Sequence, residues 1–265
     1  MSVKGMLPLS ECWNDYLKER YFVYDLFFPI IGAVIEGRQK GFVFADDLSD
    51  PNVFLIIHEF GFAQCFVVGE QNGWEHRIAK FILKDKLEGI ISKIRLYAVD
   101  GKLASLLDAE NVSRSDRMRW NYSQEYIEKT RLPRGYSISE IDSSHIKQID
   151  SQLNIGLSTR FWKSREDYLQ YGLGVVCHDE DNNPVSICYS AAVSNGNVEI
   201  DILTLPGHRG KGLAQAVAEK FITKCFKKGI CPQWDCYINN EPSMNLVATL
   251  GFEKTTVYRF YIVYF

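Results

Sequence analysis

The sequence predicts an α/β fold of the α+β kind, with a mixed, mostly antiparallel sheet flanked by helices, and three patterns indicate it. Two strand-like segments, "PVSICYSAAV" and "NVEIDILTL", are joined by the turn sequence "SNGN", as in a β-hairpin. A long segment from about Gly210 to Lys228 repeats apolar residues with the period of an amphipathic helix. Strand and helix patterns alternate along the rest of the chain, as expected for a sheet covered by helices.

The chain has the composition of an ordinary folded protein and a length that suits two domains. It contains 265 residues, of which 46% are hydrophobic and 24% are charged, so neither disorder nor a fibrous structure is indicated. The stretch "EKTRLPRGYSISEID" marks a seam, because Pro133 and Gly135 interrupt a charged region just before a strand pattern. We therefore expect a smaller α/β domain of unassigned role over residues 1–130 and a second domain over residues 131–265, without an internal repeat.

Patterns in the first domain predict strands and one helix. The stretch "NVFLIIHEFGFAQCFVVGE" is expected to form two strands bent at Gly61, and "WEHRIAKFILKDKLEGI" has the period of a helix. We expect "IRLYAVDGKLASLLDA" and "MRWNYS" to form strands.

The second domain is expected to follow the order βααβββαβαβ. It begins with the strand "YSISEI", a helix that is capped by Asp142 and ends at Leu153, and a second helix near Ser164 to Tyr171. After the hairpin and the helix from Gly210 come the strand "QWDCYI", the short helix "SMNLVATLGF" and the terminal strand "TTVYRFYIVYF". The helix from Gly210 is expected to bury Leu213, Ala214, Val217, Ala218, Phe221, Ile222 and Cys225 and to leave Gln215, Glu219, Lys220 and Lys224 outside.

Charge and composition argue against several classes of partner. The net charge is -3, so no overall positive field attracts nucleic acid or an anionic membrane. No segment approaches the roughly 18 apolar residues of a membrane span, and the first residues lack the apolar core of a signal peptide, so we expect a cytoplasmic protein. The cysteines show no CxxC spacing and no pairing with histidines, so we expect reduced thiols and no metal site.

The segment "LTLPGHRGKGLAQAVAEKF" joins a strand pattern to a helix pattern through glycines and basic residues. Backbone N–H groups at a helix start lack intrahelical acceptors and carry partial positive charge, so glycines there allow a phosphate to approach them. A nucleotide P-loop would need Lys-Ser or Lys-Thr after Gly212, where Leu213 stands, and a dinucleotide fingerprint would need a small residue where Gln215 stands. The segment therefore indicates another kind of anion site, the alternative being a helix start without a ligand.

Two motifs resemble those of the GNAT superfamily of N-acetyltransferases. The first is Arg209-x-x-Gly212-x-Ala214 between a strand and a long helix, which resembles the pyrophosphate loop of the superfamily. The second is "NEPSMNLVATLGF", with an Asn, a small residue three places on, and Leu-Gly-Phe closing a helix. The separation of the motifs and the strand order from about Gly135 onward also match, so the resemblance covers residues 131–265.

The resemblance implies a site for acetyl-CoA as co-substrate. Backbone amides from Arg209 to Ala214 would hold the pyrophosphate, Leu203 to Leu205 would pair with the pantetheine arm as a further strand would, and two polar residues of the second motif would face the arm near the thioester. The candidate coenzyme-binding residues are therefore Leu203, Thr204, Leu205, Arg209, Gly210, Lys211, Gly212, Leu213, Ala214, Asn240 and Ser243.

Two carboxylates on one strand are candidates for the catalytic base. An amine must be neutral to attack a thioester, so a base has to remove a proton near neutral pH. In "NVEIDILT" the alternation places Glu199 and Asp201 on one face, and the resemblance implies a water-activating acid on this strand. Glu199 is the first candidate and Asp201 the second, the alternative being that both only face solvent.

The sequence does not identify a single proton donor for the thiolate that leaves when the amine attacks the thioester. Many relatives have a Tyr four residues before the Gly-Phe pair, where this sequence has Val247. Tyr258, Tyr261 and Tyr264 on the last strand are substitutes, as is a water molecule. Cys236 lies in a strand pattern without an identifiable His partner, so we expect a buried thiol and a direct transfer.

The leading hypothesis is an acetyl-CoA-dependent N-acetyltransferase that acts on a small-molecule amine. The alternative is a non-catalytic acyl-CoA-binding regulatory module that has kept the loop and lost proton transfer, as Val247 permits. The same fold would also accommodate another acyl group or an oxygen nucleophile. Neither the acceptor nor the oligomeric state follows from the sequence.

Overall fold

The computed structural model describes residues 5–84, 87, 91–99, 101–122 and 130–265. By its contacts the chain divides into two compact units. Unit 1 comprises Met1–Arg117 together with Val257–Phe265, and unit 2 comprises Met118–Thr256. The predicted domains, residues 1–130 and 131–265, stay a prediction, because compactness does not show which segments fold independently.

Unit 1 is a sheet covered by short helices. The elements are β1 (Leu7–Pro8), α1 (Asn14–Tyr21), α2 (Pro29–Ile35), β2 (Gly41–Ala45), β3 (Val53–His58), β4 (Phe62–Val67), α3 (Trp74–Lys84), β5 (Lys93–Tyr97), α4 (Gly101–Leu106) and β6 (Val112–Asn121), the last of which ends in unit 2. Strands β2, β3 and β4 are antiparallel, β4 pairs with β5 in parallel, and the last strand of the chain pairs with β5 in antiparallel fashion.

The predicted strands and the helix from Trp74 are confirmed over the described residues, and one prediction is wrong. Residues 85, 86, 88–90, 100 and 123, on which parts of these predictions fall, lie outside the described residues. Gly61 joins β3 to β4 at a φ of +97°, a left-handed conformation that glycine adopts without strain. The stretch "GKLASL", expected as strand, forms α4 instead. Its Leu and Ala residues favour a helix, and Leu103 and Leu107 are both buried at helical spacing.

The core of unit 1 is rich in aromatic rings. Phe28 stacks on Tyr97 with ring centroids 4.0 Å apart, and Tyr258 meets both rings edge-on. Tyr21 is buried, and its ring packs against Phe66 with centroids 5.4 Å apart. Ring pairs of this kind stabilise a core beyond the area they bury.

Unit 2 contains an antiparallel meander that ends in a parallel pair. The predicted order βααβββαβαβ is confirmed by β7 (Ser137–Glu140), α5 (Ile146–Leu153), α6 (Arg165–Tyr171), β8 (Gly174–His178), β9 (Pro184–Ser194), β10 (Asn197–Thr204), α7 (Leu213–Lys227), β11 (Cys231–Tyr237), α8 (Glu241–Thr249) and β12 (Glu253–Tyr264), whose residues from Val257 belong to unit 1. Each strand from β7 to β10 is antiparallel to the next, and β10 pairs with β11 in parallel.

Two predictions about helices in unit 2 are wrong in detail. Asp142 does not cap α5, because its carboxylate accepts hydrogen bonds from the N–H and hydroxyl of Ser144 while His145 holds the cap position. Glu219 of α7 is only 2% exposed, although the helical pattern placed it outside. Its carboxylate can be buried because the N–H and the hydroxyl of Thr130 donate hydrogen bonds to it. Ser164 caps α6 as predicted, accepting a hydrogen bond from the N–H of Asp167.

The two halves of the chain repeat one order of elements. Both the series from β1 to β6 and the series from β7 to β12 read βααβββαβαβ. In each series, three consecutive antiparallel strands, β2 to β4 or β8 to β10, are followed by a helix. The strand after that helix, β5 or β11, is parallel to the last of the three. The sequence revealed no repeat, because a fold constrains the pattern of apolar residues far more than their identity.

A search of the described residues for a membrane-spanning helix found none of sufficient length and hydropathy.

Candidate functional site

Strands β10 and β11 diverge within unit 2 and open the sheet. They pair in parallel only at Asn197 with Cys231, Val198 with Pro232 and Glu199 with Gln233. Beyond these pairs, β10 continues to Thr204 and β11 to Tyr237, but the two strands form no further pairs with each other in the described part of the chain. We call this point the fork. It leaves backbone groups of β10 without a strand partner on one edge.

Glu199 lies at the fork and is buried, with 6% of its surface exposed. The neighbouring strand is irregular at the same level, because Glu199 opposes Ala192 and Ile200 opposes Ser190. The extra residue therefore lies in β9, as a β-bulge, and β10 itself keeps its alternation. Glu199 and Asp201, two residues apart, thus project from one face of β10.

Asp201 is held by several donors. The hydroxyl of Tyr189, its cross-strand partner, donates to Oδ2 at 2.7 Å, and the N–H of Ile202 donates to Oδ1 at 3.0 Å. Nη1 of Arg160 lies 3.6 Å from the same Oδ2. Burial, and then the nearby charge of Asp201, raise the pKa of Tyr189 well above its usual range, so this phenol stays protonated and remains a donor. Each oxygen of Asp201 thus accepts a hydrogen bond, and a catalytic role for Glu199 or for Asp201 stays a prediction.

The loop Pro206–Gly212, which we call the glycine loop, precedes α7. Gly210 and Gly212 have φ values of +74° and +78°, in the left-handed region, and Gly212 is the N-cap of α7. Helix α7 therefore begins at Leu213, three residues later than predicted, and the glycines lie outside it. A Cβ atom added at Gly210 would meet no atom within 4 Å, so the space in front of the loop is open.

The amides of this loop are available for a ligand. Among the described residues, the N–H groups of Gly210, Lys211, Gly212, Leu213 and Ala214 form no backbone hydrogen bond, whereas the helical ladder starts with Ala216 donating to Gly212. Consecutive free N–H groups at the positive end of a helix dipole attract an anion. The glycines leave these amides uncovered, so a ligand can approach them directly.

The basic residues of the loop are tied to the protein. Nε of Arg209 donates to the carbonyl of Thr204 at 3.1 Å. Nζ of Lys211 donates to the hydroxyl of Tyr136 at 2.9 Å, and that hydroxyl lies 3.0 Å from Nδ1 of His208. These contacts order the loop while its backbone amides stay open. Further along α7, Lys224 forms an ion pair with Glu140 at 2.7 Å, which lowers the pKa of that carboxyl.

The end of β10 presents one residue to the open edge. The N–H of Leu205 donates to the carbonyl of Val185, so the backbone of Leu205 faces β9. The carbonyl of Leu203 accepts from the side-chain hydroxyl of Ser186, which also lies on β9. Strand alternation then turns the N–H and C=O of Thr204 toward the other edge. Of the predicted stretch Leu203 to Leu205, Thr204 thus has its N–H on the open edge, while its carbonyl accepts from Nε of Arg209.

The second motif forms the start of α8. Oδ1 of Asn240 accepts from the N–H of Ser243 at 3.3 Å and caps the helix, and Oγ of Ser243 accepts from the indole of Trp234 at 2.9 Å. Val247 is fully buried and offers no proton. Asn240 and Ser243 therefore have local structural partners, and a role toward a coenzyme stays a prediction.

Three tyrosines of β12 were candidate proton donors, and Cys236 was considered as a nucleophile. Tyr258 and Tyr261 are buried in unit 1, and Tyr264, also in unit 1, is 47% exposed. Cys236 is buried, with its Sγ 3.4 Å from Sδ of Met244. A thiol in that position acts as a small apolar side chain, which is consistent with direct transfer.

Sequence reasoning missed a buried acid beside the glycine loop. The carboxylate of Glu219 accepts from the N–H and the hydroxyl of Thr130, both at 2.9 Å, and from Nε2 of Gln215 at 3.0 Å. The methyl group of Thr130 lies 4.0 Å from the Cβ position of Gly212. Glu219 thereby fixes a neighbour of the loop. No local pattern signals this contact, because the partners lie 89 residues apart.

The chain belongs to the GNAT acetyltransferase family, which its sequence matches over residues 28–261. The motifs alone placed the resemblance at residues 131–265, and this limit is corrected. Motifs mark only the loop and helix that carry the chemistry, whereas the family match also includes most of unit 1.

Relatives support the same assignment. The chain is 32% identical over 236 residues to an uncharacterized N-acetyltransferase, YdfB, of Bacillus subtilis (strain 168), a match that covers 86% of this chain and 88% of the relative. A GCN5-related N-acetyltransferase-like protein from Streptococcus suis 89/1591 has a TM-score of 0.72 at 22% identity, covering 95% of this chain and 99% of that one. A tandem GNAT protein from the clavulanic acid biosynthesis pathway has a TM-score of 0.65 at 10% identity, covering 98% of both chains. The two structures share the fold, and the protein is an N-acetyltransferase.

Proposed function

We propose that this acetyltransferase uses acetyl-CoA and transfers the acetyl group directly to the amine of a small molecule. The observation that carries the proposal is the row of free amides from Gly210 to Ala214 in front of α7. Consecutive amides in this position suit the diphosphate of a coenzyme, and GNAT acetyltransferases use acetyl-CoA.

The residues of unit 2 fit this coenzyme. Glycines open the loop, Arg209 and Lys211 add positive charge beside it, and the backbone of Thr204 faces the open edge of β10. An arm extended along that edge would run from the glycine loop toward Glu199. When bound, acetyl-CoA supplies the acetyl group: a bond forms from the amine nitrogen to the acetyl carbon, the carbon–sulfur bond breaks, and a thiolate leaves.

Glu199 is proposed as the base that takes the proton of the amine, directly or through one water molecule. It is buried at the fork, where the reacting groups would meet, and Asp201 accepts hydrogen bonds from the hydroxyl of Tyr189 and the N–H of Ile202. A base of this kind contributes about 10²- to 10⁴-fold to the rate. Asp201 is proposed to fix the acceptor side of the site rather than to move a proton.

The chain needs no dedicated acid for the thiolate. A thiol has an unperturbed pKa of about 8.5, so its thiolate is a good leaving group near neutral pH. The replacement of the usual Tyr by Val247 is therefore compatible with turnover. Positioning of the two substrates in contact would supply most of the acceleration.

Calorimetry with acetyl-CoA, followed by a thiol-release assay over a library of small amines, tests the proposal. We expect saturable binding of acetyl-CoA and release of CoA that depends on an amine. Tight binding without turnover on any amine would favour the non-catalytic regulatory module, and absence of binding would refute the coenzyme site.

A further inference from the structure

The hydroxyl of Tyr136 holds the glycine loop at two points. It lies 3.0 Å from Nδ1 of His208, near the start of the loop, and it accepts a hydrogen bond from Nζ of Lys211 at 2.9 Å. The ring of Tyr136 also stands perpendicular to the imidazole of His208, with ring centroids 5.8 Å apart. Tyr136 precedes these partners by 72 and 75 residues, so it joins the loop to a distant segment of unit 2.

The directions of the two hydrogen bonds follow from the groups that form them. An ammonium group only donates, so the hydroxyl accepts from Lys211 and donates its single hydrogen to Nδ1 of His208. A neutral imidazole that accepts at Nδ1 carries its hydrogen on Nε2. The three side chains therefore form one continuous chain of hydrogen bonds, in which each bond polarises and strengthens the next.

The loop depends on this chain because of the residues on either side of Lys211. Gly210 and Gly212 both have φ in the left-handed region, and neither has a side chain that could fix the backbone. The N–H groups of Gly210, Lys211 and Gly212 form no backbone hydrogen bond among the described residues. Within the described part of the chain, the bond from Lys211 to Tyr136 is thus the one hydrogen bond that a side chain of this tripeptide donates.

Tyr136 can restrict the loop because its own backbone adjoins the sheet. It directly precedes β7, whose first residue, Ser137, pairs with His178 of the fully buried strand β8. Glycines, by contrast, have the largest backbone freedom of all residues and lose the most entropy when they are fixed. A hydrogen bond from a residue next to a paired strand therefore limits the conformations of the glycine pair.

We propose that Tyr136 is a positioning residue for the coenzyme, which acts through Lys211 to hold Gly210–Gly212 in the conformation that presents its free amides. The inference rests on the proposed function and adds a residue to the same site. A loop that already has its binding conformation loses less entropy when the ligand binds, so its affinity is higher. Tyr136 therefore raises the affinity for acetyl-CoA and takes no part in the chemical step.

Tyr136→Phe tests the proposal, since it removes the hydroxyl and keeps the ring. Calorimetry should show about 10-fold weaker binding of acetyl-CoA, the usual effect of losing one hydrogen bond to a charged group. In the thiol-release assay, with the best amine of the library, the KM for acetyl-CoA should rise by a similar factor while kcat stays within about twofold. Tyr16→Phe, at a half-buried position of unit 1 whose hydroxyl bonds to no other described residue, is the matched control and should change neither value.

A double-mutant cycle separates an action through Lys211 from a general loss of stability. Lys211→Met weakens binding by its own lost charge, and adding Tyr136→Phe to it should weaken binding further by no more than about threefold, because the tether is already absent. An equal loss in both backgrounds, an unchanged affinity in Tyr136→Phe, or a fall in kcat at saturating coenzyme would overturn the inference and leave the acetyltransferase function standing. Absence of acetyl-CoA binding to the wild type would refute the proposed coenzyme site, and this inference with it.

Discussion

Unit 1 and unit 2 each contain a parallel strand pair of three residues, but only in unit 2 does the last pair contain an acid. In unit 1, β4 pairs in parallel with β5 at three residues and the last pair contains Gln64, as the last pair of β10 contains Glu199. Gln64 is 1% exposed, donates to the carbonyl of Leu26 at 3.0 Å and accepts from the hydroxyl of Tyr21. A neutral amide with both groups bonded supports the core and cannot take a proton.

The loops that follow β4 in unit 1 and β10 in unit 2 differ in charge. In unit 1 this loop contains Gly69 and Gly73, with φ values of +67° and +72° and open space in front of both, as at Gly210 in unit 2. Its charged neighbours are Glu70 and Glu75 rather than basic residues. Carboxylates there repel a diphosphate, whereas Arg209 and Lys211 attract one. Both loops thus contain glycines in the left-handed region, and we expect their charges to decide which of them binds the coenzyme.

The comparison predicts one coenzyme for each chain. Calorimetric titration with acetyl-CoA should give a stoichiometry near one, because only the loop of unit 2 combines free amides with positive charge. A ratio of two would show that the acidic loop of unit 1 also binds, and the comparison would fail.

The largest kinetic effect is expected at the fork of unit 2. Glu199→Gln converts the acid into the amide that unit 1 has, and kcat should fall by about 10²- to 10⁴-fold. The rise of the rate with pH should also flatten, while the affinity for acetyl-CoA measured by calorimetry stays within about twofold, since no coenzyme contact is removed. An unchanged pH profile would exclude Glu199 as the base.

A matched pair of glycine substitutions sharpens the comparison of the loops. Gly212→Val places a branched side chain in front of the free amides, and the loss of two charge-assisted hydrogen bonds of about 1.5 kcal/mol each should weaken acetyl-CoA binding ~100-fold. Gly73→Val introduces comparable strain at the same kind of position in unit 1 and should leave the affinity unchanged. Similar losses in both variants would mean that strain, and not a coenzyme contact, explains the effect.

The fold of unit 2 could be predicted because its patterns are local. Strand alternation, the turn at "SNGN" and the amphipathic helix determine the order of elements without distant contacts. In unit 1 the same reasoning failed at α4, where a short apolar run suits a strand or a helix equally. The repeated order of elements was not predicted either, because each half of the chain has the residue pattern of an ordinary α/β fold.

The candidate site was predictable only where its residues lie close together in the sequence. The glycine loop and the two acids lie on adjacent elements, so motifs identify them, although their roles stay predictions. Arg160, Tyr189 and Thr130 reach the site from segments 12 to 89 residues away from their partners. Only tertiary packing brings such groups together, and one sequence contains no signal for it.

The buried acid of α7 is expected to support the loop of unit 2 alone. Glu219→Gln replaces one carboxylate oxygen by a donor that faces Thr130, and the unsatisfied contact should destabilise the protein by about 1–3 kcal/mol. Acetyl-CoA affinity should fall about 10-fold, because Thr130 no longer holds its place beside Gly212. Thermal unfolding and calorimetry measure both effects, with exposed Glu166→Gln as the control. Unchanged affinity would restrict Glu219 to a structural role.

The smallest effect is a dependence of stability on pH that arises in unit 2. Burial, and then the neighbouring His145, lower the pKa of His178 below its ordinary value of 6.5, against the opposing charge of Asp179. The unfolded chain therefore binds more protons than the folded one, so stability should fall as the pH drops below about 6.5, by at most about 1.4 kcal/mol at pH 5.5. His178→Gln should remove this part of the acid sensitivity in urea titrations at pH 7.5 and 5.5. His76→Gln, at an exposed position of unit 1, should retain it, and equal behaviour of the two variants would contradict the assignment to His178.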